Sequence, residues 1–326
     1  MKRLLLVFML LFPTFAFAWN PPETVTVYIG YAPGSGNEVS IRKLAAIISE
    51  KYPKTTFVVK NMPGGDGLVA TKSFIRQPAD GSSITIPSYM SHYVTNEIWQ
   101  KQLKDYQWDD VTNVMSLGKS PLVIVAGKQS KIRTPEQFVE YIKTTDHRIN
   151  FALGGGAHRT TYEYIVETLK ADRNLLKPIM FNGPQPAVES AAKYDGTGTE
   201  FGIMPIAIAN PLIQAGFVVP IAFTGERTMP QYPNVPLLSK ILPGANVYAG
   251  WSLVLQKGTP KEVVDWYQKE FKEAVMSQSY RDWCFQNIVF IDESELETEN
   301  LLKTVKQLRE TYLPILEKLD LSKEGQ

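Results

Sequence analysis

Three glycine-rich loops are the part of this sequence whose composition and spacing best suit ligand binding. Each follows a predicted strand and precedes a predicted helix: Ala-Pro-Gly-Ser-Gly-Asn at 32–37, Asn-Met-Pro-Gly-Gly-Asp-Gly at 61–67, and Leu-Gly-Gly-Gly-Ala-His at 153–158. A helix N-terminus presents unpaired backbone N–H groups and the positive end of the helix dipole, and glycine lets a ligand approach the backbone closely. Such loops lie at the carboxyl ends of strands, where α/β proteins bind ligands. A single loop of this kind is well explained as a tight turn, but three in the same setting predict a site for a small anion.

Other chemistry fits these loops poorly. A phosphate-binding P-loop requires Gly-Lys-Ser/Thr, which none of the three contains, and Val39 stands where the dinucleotide fingerprint has its third glycine. Ser35 lies between two glycines and lacks the Gly-x-Ser-x-Gly spacing of a nucleophile elbow. No two of His92, His147 and His158 have the spacing at which a helix holds a metal ion. We therefore predict no enzyme activity, no metal and no cofactor, with an exported hydrolase using Ser35 or His158 as the competing class.

The composition is that of a globular protein with about two domains. The chain has 326 residues, of which 44% are hydrophobic and 21% are charged, so it can bury a sizeable core. It has 34 basic and 33 acidic residues, whereas a nucleic-acid-binding surface needs a clear basic excess. The single cysteine, Cys284, excludes an internal disulfide framework and is expected to be a small buried residue.

Residues 1–18 have the layout of a secretory signal peptide. Lys2 and Arg3 precede an apolar run at 4–12, and Ala16-Phe17-Ala18 forms a small-x-small cleavage site. The apolar run is shorter than the ~20 residues needed to span a bilayer, so a membrane anchor is the weaker interpretation. We expect cleavage after Ala18 and a free periplasmic protein. Cleavage would remove Lys2 and Arg3 but no acidic residue, so the formal charge would fall by two, from +1 to −1.

Strand and helix patterns alternate along the chain, which predicts parallel sheets covered by helices. Period-two alternation or short apolar runs predict strands near 25–29, 57–59, 84–86 and 122–126. Helical periodicity and start signals predict helices near 39–52, 68–76, from 135 after Thr134 as N-cap, 260–276 after Thr259, and 293–319 with a kink at Pro314.

The order of short motifs along the chain resembles that of the periplasmic solute receptors of tripartite tricarboxylate transporters, also called Bug-type receptors. The family's first loop reads Pro-x-Gly-Gly, then Asp and, four residues on, Arg; here residues 33–36 are followed by Glu38 in place of Asp and by Arg42. The family's Val-Val-x-Asn-x-Pro-Gly-x-x-Gly appears at 58–67. Further matches, each weak alone, extend the resemblance over about residues 25–291: Ala-Asp-Gly at 79–81, Phe-Asn-Gly at 181–183, Gln-Ala-Gly at 214–216, Pro-Asn-Val-Pro at 233–236, Gly-Trp at 250–251 and Gly-Thr-Pro at 258–260.

The resemblance implies a two-domain α/β protein of the periplasmic-binding-protein (Venus flytrap) type, each domain a mostly parallel sheet flanked by helices. It implies that domain 1 comprises residues 19–120 plus 226–326 and that domain 2 comprises residues 121–225. It also implies a carboxylate ligand held between one strand-to-helix turn of each domain, and delivery of that ligand to membrane permease subunits. We expect a monomer without a nucleic-acid partner. The alternative is a ligand-sensing receptor for a membrane signalling partner.

The second-domain turn departs from the family, in which it is usually serine-rich. Here His158 and Arg159 occupy it, and hydroxyls follow only at Thr160 and Thr161. His158 and Arg159 either add charge-assisted contacts to a carboxylate or are an ordinary loop histidine and a solvated charge. The residues expected to contact ligand are Pro33, Gly34, Ser35, Gly36 and Asn37 in the first turn, Gly155, Gly156, Ala157, His158, Arg159 and Thr160 in the second, and Ser88 and His92 beyond a strand end.

Overall fold

The computed structural model describes residues 19–99 and 108–318. The predicted signal peptide, the predicted cleavage site at Ala18 and the C-terminal residues from 319 onward lie outside the described residues. Within the described ranges, no helix is both long enough and apolar enough to cross a membrane.

Nine strands and ten α-helices alternate along the described chain. The strands are β1 (Thr24–Ile29), β2 (Thr56–Asn61), β3 (Ser83–Thr85), β4 (Val111–Gly127), β5 (Ile149–Leu153), β6 (Leu176–Met180), β7 (Phe201–Pro205), β8 (Val218–Phe223) and β9 (Tyr248–Gln256). The helices are α1 (Gly36–Lys51), α2 (Leu68–Phe74), α3 (Asn96–Trp99), α4 (Pro135–Thr144), α5 (Gly156–Leu169), α6 (Pro184–Ala192), α7 (Ile206–Gln214), α8 (Lys261–Met276), α9 (Gln278–Gln286) and α10 (Thr298–Leu316).

The 17-residue strand β4 is shared by the two halves of the sheet. Its first part, residues 111–121, pairs antiparallel with β9, and its second part, residues 122–127, pairs antiparallel with β7 and β8. On one side β1 runs parallel to β2 and β3, and on the other β5 runs parallel to β6 and β7. The α/β fold class is confirmed, but the sheet is more mixed than expected, because β4, β8 and β9 run against their neighbours.

Helix α1 shows why the first loop ends in a helix N-terminus. Ile41, Leu44 and Ile48 recur at helical spacing and are buried, together with Val25 and Val27 of β1, in one core. Because this apolar face fixes α1 against the sheet, the loop at 32–35 must deliver the chain from the end of β1 to Gly36. The first N–H groups of the helix therefore lie at the carboxyl edge of the sheet.

Three sequence predictions about helix ends can be compared directly with the structure. Thr134 caps α4, because its Oγ1 accepts a hydrogen bond of 3.2 Å from the Gln137 amide. Thr259 does not cap α8: its hydroxyl donates to the Gln256 carbonyl at 2.8 Å, and the helix begins at Lys261. The predicted last helix is a short 3₁₀ turn at 293–296 followed by α10, which continues through Pro314 to Leu316.

The segment between β8 and β9 packs with the half of the sheet that holds β7 and β8. Met229, Tyr232 and Leu237 share a buried cluster with Val123 and Val125 of β4. Helix α10 packs against α5 and β4. The division of the chain into 19–120 plus 226–326 and 121–225 stays a prediction.

Candidate ligand-binding site

The first and third glycine-rich loops face each other across one cavity of about 190 Å³. This volume corresponds to roughly six water molecules at ~30 Å³ each, which suits a small organic ligand. Of the thirteen residues predicted to contact ligand, nine line it: Gly34, Ser35, Gly36, Asn37, Ser88, Gly155, Gly156, Ala157 and His158. The cleft continues into a second space of about 320 Å³, where Pro33 lies with the Phe-Asn-Gly segment at 181–183.

At the first turn, some of the expected amide donors are already used by the protein. The Gly34 amide donates to Glu38 Oε2 at 2.8 Å, and the Ser35 amide donates to the Ala32 carbonyl at 3.3 Å. The amides of Gly36 and Asn37, in the first turn of α1, have no intrahelical acceptor. The backbone N–H groups available to a ligand at this turn are therefore those of Gly36 and Asn37, and not those of Gly34 and Ser35.

Ser35 is the N-cap residue of α1, yet its side chain does not cap the helix. Its backbone is extended (φ −64°, ψ 150°), which is the usual N-cap conformation. The Ser35 Oγ is buried and has no hydrogen-bond partner among the described residues. A buried hydroxyl without a partner is costly, so it is a natural contact for a ligand oxygen.

Glu38 explains the local shape of this turn. It is buried and forms an ion pair with Arg42 one turn later in α1. Its other oxygen accepts the Gly34 amide, which closes the turn that precedes α1. Gly36 faces Trp251 closely, because a Cβ added at this position would stand 3.5 Å from the indole ring. The turn thus presents backbone, with little side-chain cover, to the cavity.

At the third loop, the orientation of His158 is fixed by the backbone. The Gly154 amide donates to His158 Nδ1 at 2.9 Å, so Nδ1 accepts and the ring hydrogen of the neutral imidazole is on Nε2. Burial lowers the pKa of His158 to about 3. At neutral pH this side chain therefore offers a neutral N–H donor and not a positive charge.

Three predicted contacts lie away from the cavity. Arg159 is buried on another side of α5 from His158, because successive residues of a helix point about 100° apart. There its Nε donates to Glu163 Oε1 at 2.6 Å. Thr160 is also buried and does not line the cavity. His92 packs with its ring centroid 4.5 Å from that of Tyr93, and burial lowers its pKa to about 3. The sequence predicted that Arg159 contacts the ligand, whereas in the structure it pairs with Glu163.

Asp66, in the second glycine-rich loop, also lines the cavity and was not predicted as a site residue. Ser91 Oγ donates to its Oδ2 at 2.6 Å, Tyr31 OH donates to its Oδ1 at 3.2 Å, and its carboxylate lies against Gly156 at the start of α5. Burial raises the pKa of Asp66, and these hydrogen bonds oppose that rise. The only sequence signal was the loop itself, since Asp66 adopts the left-handed conformation (φ 50°) that a turn of this kind requires.

Much of the remaining wall is apolar or aromatic, with Ser120 and Asn287 among its polar members. Trp251 and Trp283 contribute their rings, and Trp251 is anchored because its Nε1 donates to Ser40 Oγ at 2.9 Å. Val289 and Ile208 add aliphatic surface. Among the described residues that line this cavity there is no lysine or arginine, so an anion here would be held by backbone N–H groups, helix dipoles and neutral donors.

A larger cavity of about 500 Å³ lies elsewhere, between β4, β9 and α10. Its central cation, Lys119, is already paired with Glu295 at 2.7 Å and with Asp292 at 3.3 Å. None of the three glycine-rich loops lines it. We therefore take the smaller cavity, where helix N-termini converge, as the candidate site. In the described parts of the chain, no group of three or more histidine, cysteine, aspartate or glutamate side chains is arranged to hold a metal ion.

Most of the chain matches a known family of receptors. Residues 40–321 match the family described as "Tripartite tricarboxylate transporter family receptor". The chain belongs to this family. Membership in it places the chain among solute-binding receptors.

Individual relatives are distant in sequence but close in fold. The chain is 23% identical over 309 residues to the UPF0065 protein in the gbd 5′ region of Cupriavidus necator, covering 93% of this chain and 89% of the relative. The periplasmic binding protein BugD is 22% identical, with a TM-score of 0.78 over 90% of this chain and 97% of BugD. MatC from Rhodopseudomonas palustris, solved with bound malate, is 21% identical, with a TM-score of 0.78 over 90% of this chain and 99% of MatC. These structures show the two-domain flytrap-like fold.

The two buried histidines give a direct test of the site's electrostatics. The chain has three histidines, so the H147Q variant retains only the imidazole signals of His92 and His158. Because burial lowers both pKa values to about 3, neither signal should titrate between pH 8 and pH 5 in the NMR spectrum of folded H147Q. The unfolded state binds more protons at these sites, so stability falls as pH drops below about 6.5, the ordinary histidine pKa. A signal that titrates near pH 6 in the folded protein would contradict the buried, neutral assignment.

Proposed function

We propose that this chain is an extracytoplasmic solute-binding protein that captures a small organic carboxylate and delivers it to the membrane subunits of a tripartite tricarboxylate-type transporter. The observation that carries the proposal is the convergence of two helix N-termini, those of α1 and α5, on one cavity. Helix N-termini bind anions because their first N–H groups lack intrahelical acceptors. Family membership and the malate bound to MatC support the same assignment.

Recognition of the carboxylate would rest on neutral donors. The Gly36 and Asn37 amides, the Ser35 hydroxyl and the His158 Nε2–H group all belong to residues that line the cavity. A low-dielectric, partly enclosed site strengthens each of these hydrogen bonds relative to water. The mature formal charge of −1 expected after removal of residues 1–18 gives no long-range attraction for anions, so selectivity depends on these local groups.

Ligand capture would use closure of two lobes around the cavity, as in other hinge-type receptors. We place the first crossing near residue 121, because β4 changes its pairing from β9 to β7 and β8 between Pro121 and Leu122. We place the return at the start of β9, because Met229, Tyr232 and Leu237 pack with the β7–β8 half of the sheet. Domain 1 then comprises residues 19–120 with β9 and the C-terminal part of the chain.

Export to the periplasm is part of the proposal. Its support is the basic, apolar and small-residue pattern of residues 1–18, together with the description of BugD as a periplasmic binding protein. A hydrolase centred on Ser35 is disfavoured, because the described residues place no hydrogen-bond acceptor next to its Oγ and a nucleophilic serine needs a general base.

Titration of purified mature protein with a panel of mono-, di- and tricarboxylates tests the proposal. At least one should bind by calorimetry and raise the unfolding temperature; at a concentration 100 times Kd, binding adds ~2.7 kcal/mol to the free energy of unfolding. Sodium chloride at matched ionic strength is the control. If no organic anion binds while the fold is intact, the proposal fails.

A further inference from the structure

The second helix N-terminus in the cleft is already occupied by a carboxylate of the protein. Asp66, from the loop after β2, reaches across the cleft, and its carboxylate lies against Gly156 at the start of α5. A carboxylate at this position takes the place that a carboxylate of the ligand would otherwise occupy. The two helix N-termini that meet at the cavity are therefore not equivalent.

The contact between Asp66 and α5 is close enough to exclude other groups. A Cβ added at Gly156 would overlap the Asp66 carboxylate and would stand 2.7 Å from Thr95 Oγ1. Ser91 Oγ donates to Asp66 Oδ2 at 2.6 Å, and Tyr31 OH donates to Oδ1 at 3.2 Å. The start of α5 is thus filled by the protein's own acid, and hydrogen bonds from Ser91 and Tyr31 hold that acid in place.

The loop that carries Asp66 is also fixed by its backbone. A Cβ added at Gly30, at the end of β1, would overlap the backbone of Gly67, so the two chain segments are in direct contact. Thr71 Oγ1 donates to the Gly67 carbonyl at 3.2 Å and ties the loop to α2. Because packing on both sides positions this loop, Asp66 cannot simply swing out of the cleft when a ligand enters.

We propose that Asp66 is a specificity-determining residue that limits the ligand to one carboxylate. The ligand places that carboxylate at the N-terminus of α1, near Ser35 and Gly36, and directs an uncharged, largely apolar body toward Asp66 and the wall formed by Trp251 and Trp283. This inference rests on the proposed function. It concerns which carboxylates the site accepts: monocarboxylates enter, and di- and tricarboxylates are rejected.

Two features of the lining support this assignment. The first is charge: no lysine or arginine among the described lining residues could neutralise a second ligand carboxylate beside Asp66. Like charges in a partly desolvated site repel strongly. The second is chemistry: Trp251, Trp283, Val289 and Ile208 give the cavity apolar surface, which matches a hydrocarbon body.

Pairs of ligands that differ only in the second carboxylate test the inference: butanoate with succinate, hexanoate with adipate, and benzoate with terephthalate. In calorimetric titrations, the wild type should bind the monocarboxylate of at least one pair at least tenfold more tightly than its dicarboxylate. The D66N variant should raise the affinity for that dicarboxylate at least tenfold. Asparagine tolerates the left-handed backbone at this position and has nearly the size and shape of aspartate, so the loop should keep its conformation.

The control is D195N, which makes the same change of charge at an exposed turn away from the cavity and should leave both affinities unchanged. Circular dichroism and thermal unfolding establish that D66N is folded. If the wild type binds dicarboxylates as tightly as monocarboxylates, and D66N leaves the ratio unchanged, the inference is wrong while the proposed function stands. If no member of any pair binds to the wild type or to D66N although another organic anion of the panel does, the inference is wrong and the proposed function stands; if no organic anion of the panel binds at all, both fail.

Discussion

Replacing Ser35 by aspartate should weaken binding of the organic anion at least 100-fold without destabilising the protein. Ser35 has the extended backbone of an N-cap residue, and its Oγ makes no capping bond. Aspartate at an N-cap accepts the first free amides of the helix and complements its dipole. The new carboxylate would occupy the place of the ligand's carboxylate, and a 100-fold loss corresponds to ~2.7 kcal/mol of binding free energy. Calorimetric titration and urea unfolding of the same preparation measure both effects.

The T134D variant is the matched control for S35D. Thr134 is the N-cap of α4, does not line the cavity, and already caps Gln137, so aspartate there changes the same kind of position. It should alter stability by less than ~1 kcal/mol and leave the affinity unchanged. Retention of wild-type affinity by folded S35D would exclude the N-terminus of α1 as the carboxylate site.

The convergence of the first and third loops could be predicted from sequence because it depends on local signals. Glycine after a strand and before an amphipathic helix fixes a strand-to-helix turn, and the carboxyl ends of strands in one sheet gather at one edge. Ser35, Gly36 and Gly156 were found in this way, and all three line the cavity. Family resemblance added the expectation that the first and third loops belong to opposite sides of one cleft.

The roles of Asp66 and Arg159 could not be predicted, because each depends on a partner that only the fold provides. Asp66 contacts Gly156, which lies 90 positions later in the chain, and no local pattern encodes that contact. Arg159 follows His158 directly, but one step along a helix turns the side chain by about 100° and brings it to Glu163. Sequence alone therefore predicted loops that line the cavity, but not which of their side chains face it.

Strand direction was the other feature that local patterns did not determine. Alternating strands and helices predicted parallel pairing, and β1 with β2 and β5 with β6 follow that rule. Strands β4 and β9 are neighbours in the sheet and pair antiparallel over nine residue pairs, although more than 100 residues separate them in sequence. The sequence predicted only residues 122–126 of β4 as a strand and did not predict β9, and the direction of both strands is set by the chain crossing between the two halves of the sheet.

Replacing Glu163 by alanine should lower the free energy of unfolding by about 3–5 kcal/mol, which is the usual cost of leaving a buried charge without its partner. The Glu163 side chain is fully buried, accepts from Arg159 Nε at 2.6 Å and also pairs with Arg173. Arg159 is itself buried, with only 5% of its side chain exposed. Because Arg159 lies away from the cavity, the affinity of folded E163A for its anion should stay within about twofold of wild type, as measured by calorimetry well below the unfolding temperature.

Glu167 provides the comparison that separates burial from charge. It lies on the same helix and pairs with Lys318 at 2.8 Å and with Arg173 at 3.7 Å, but 39% of its side chain is exposed. An exposed pair contributes about 0–1 kcal/mol, so E167A should unfold at nearly the wild-type urea concentration while E163A unfolds well below it. Equal stability of the two variants would mean that the Arg159–Glu163 pair does not hold α5 in place. E163A releases Arg159 from its partner. If the stable variant then lost much of its affinity for the anion, Arg159 would have to reach the ligand, and its assignment away from the cavity would be wrong.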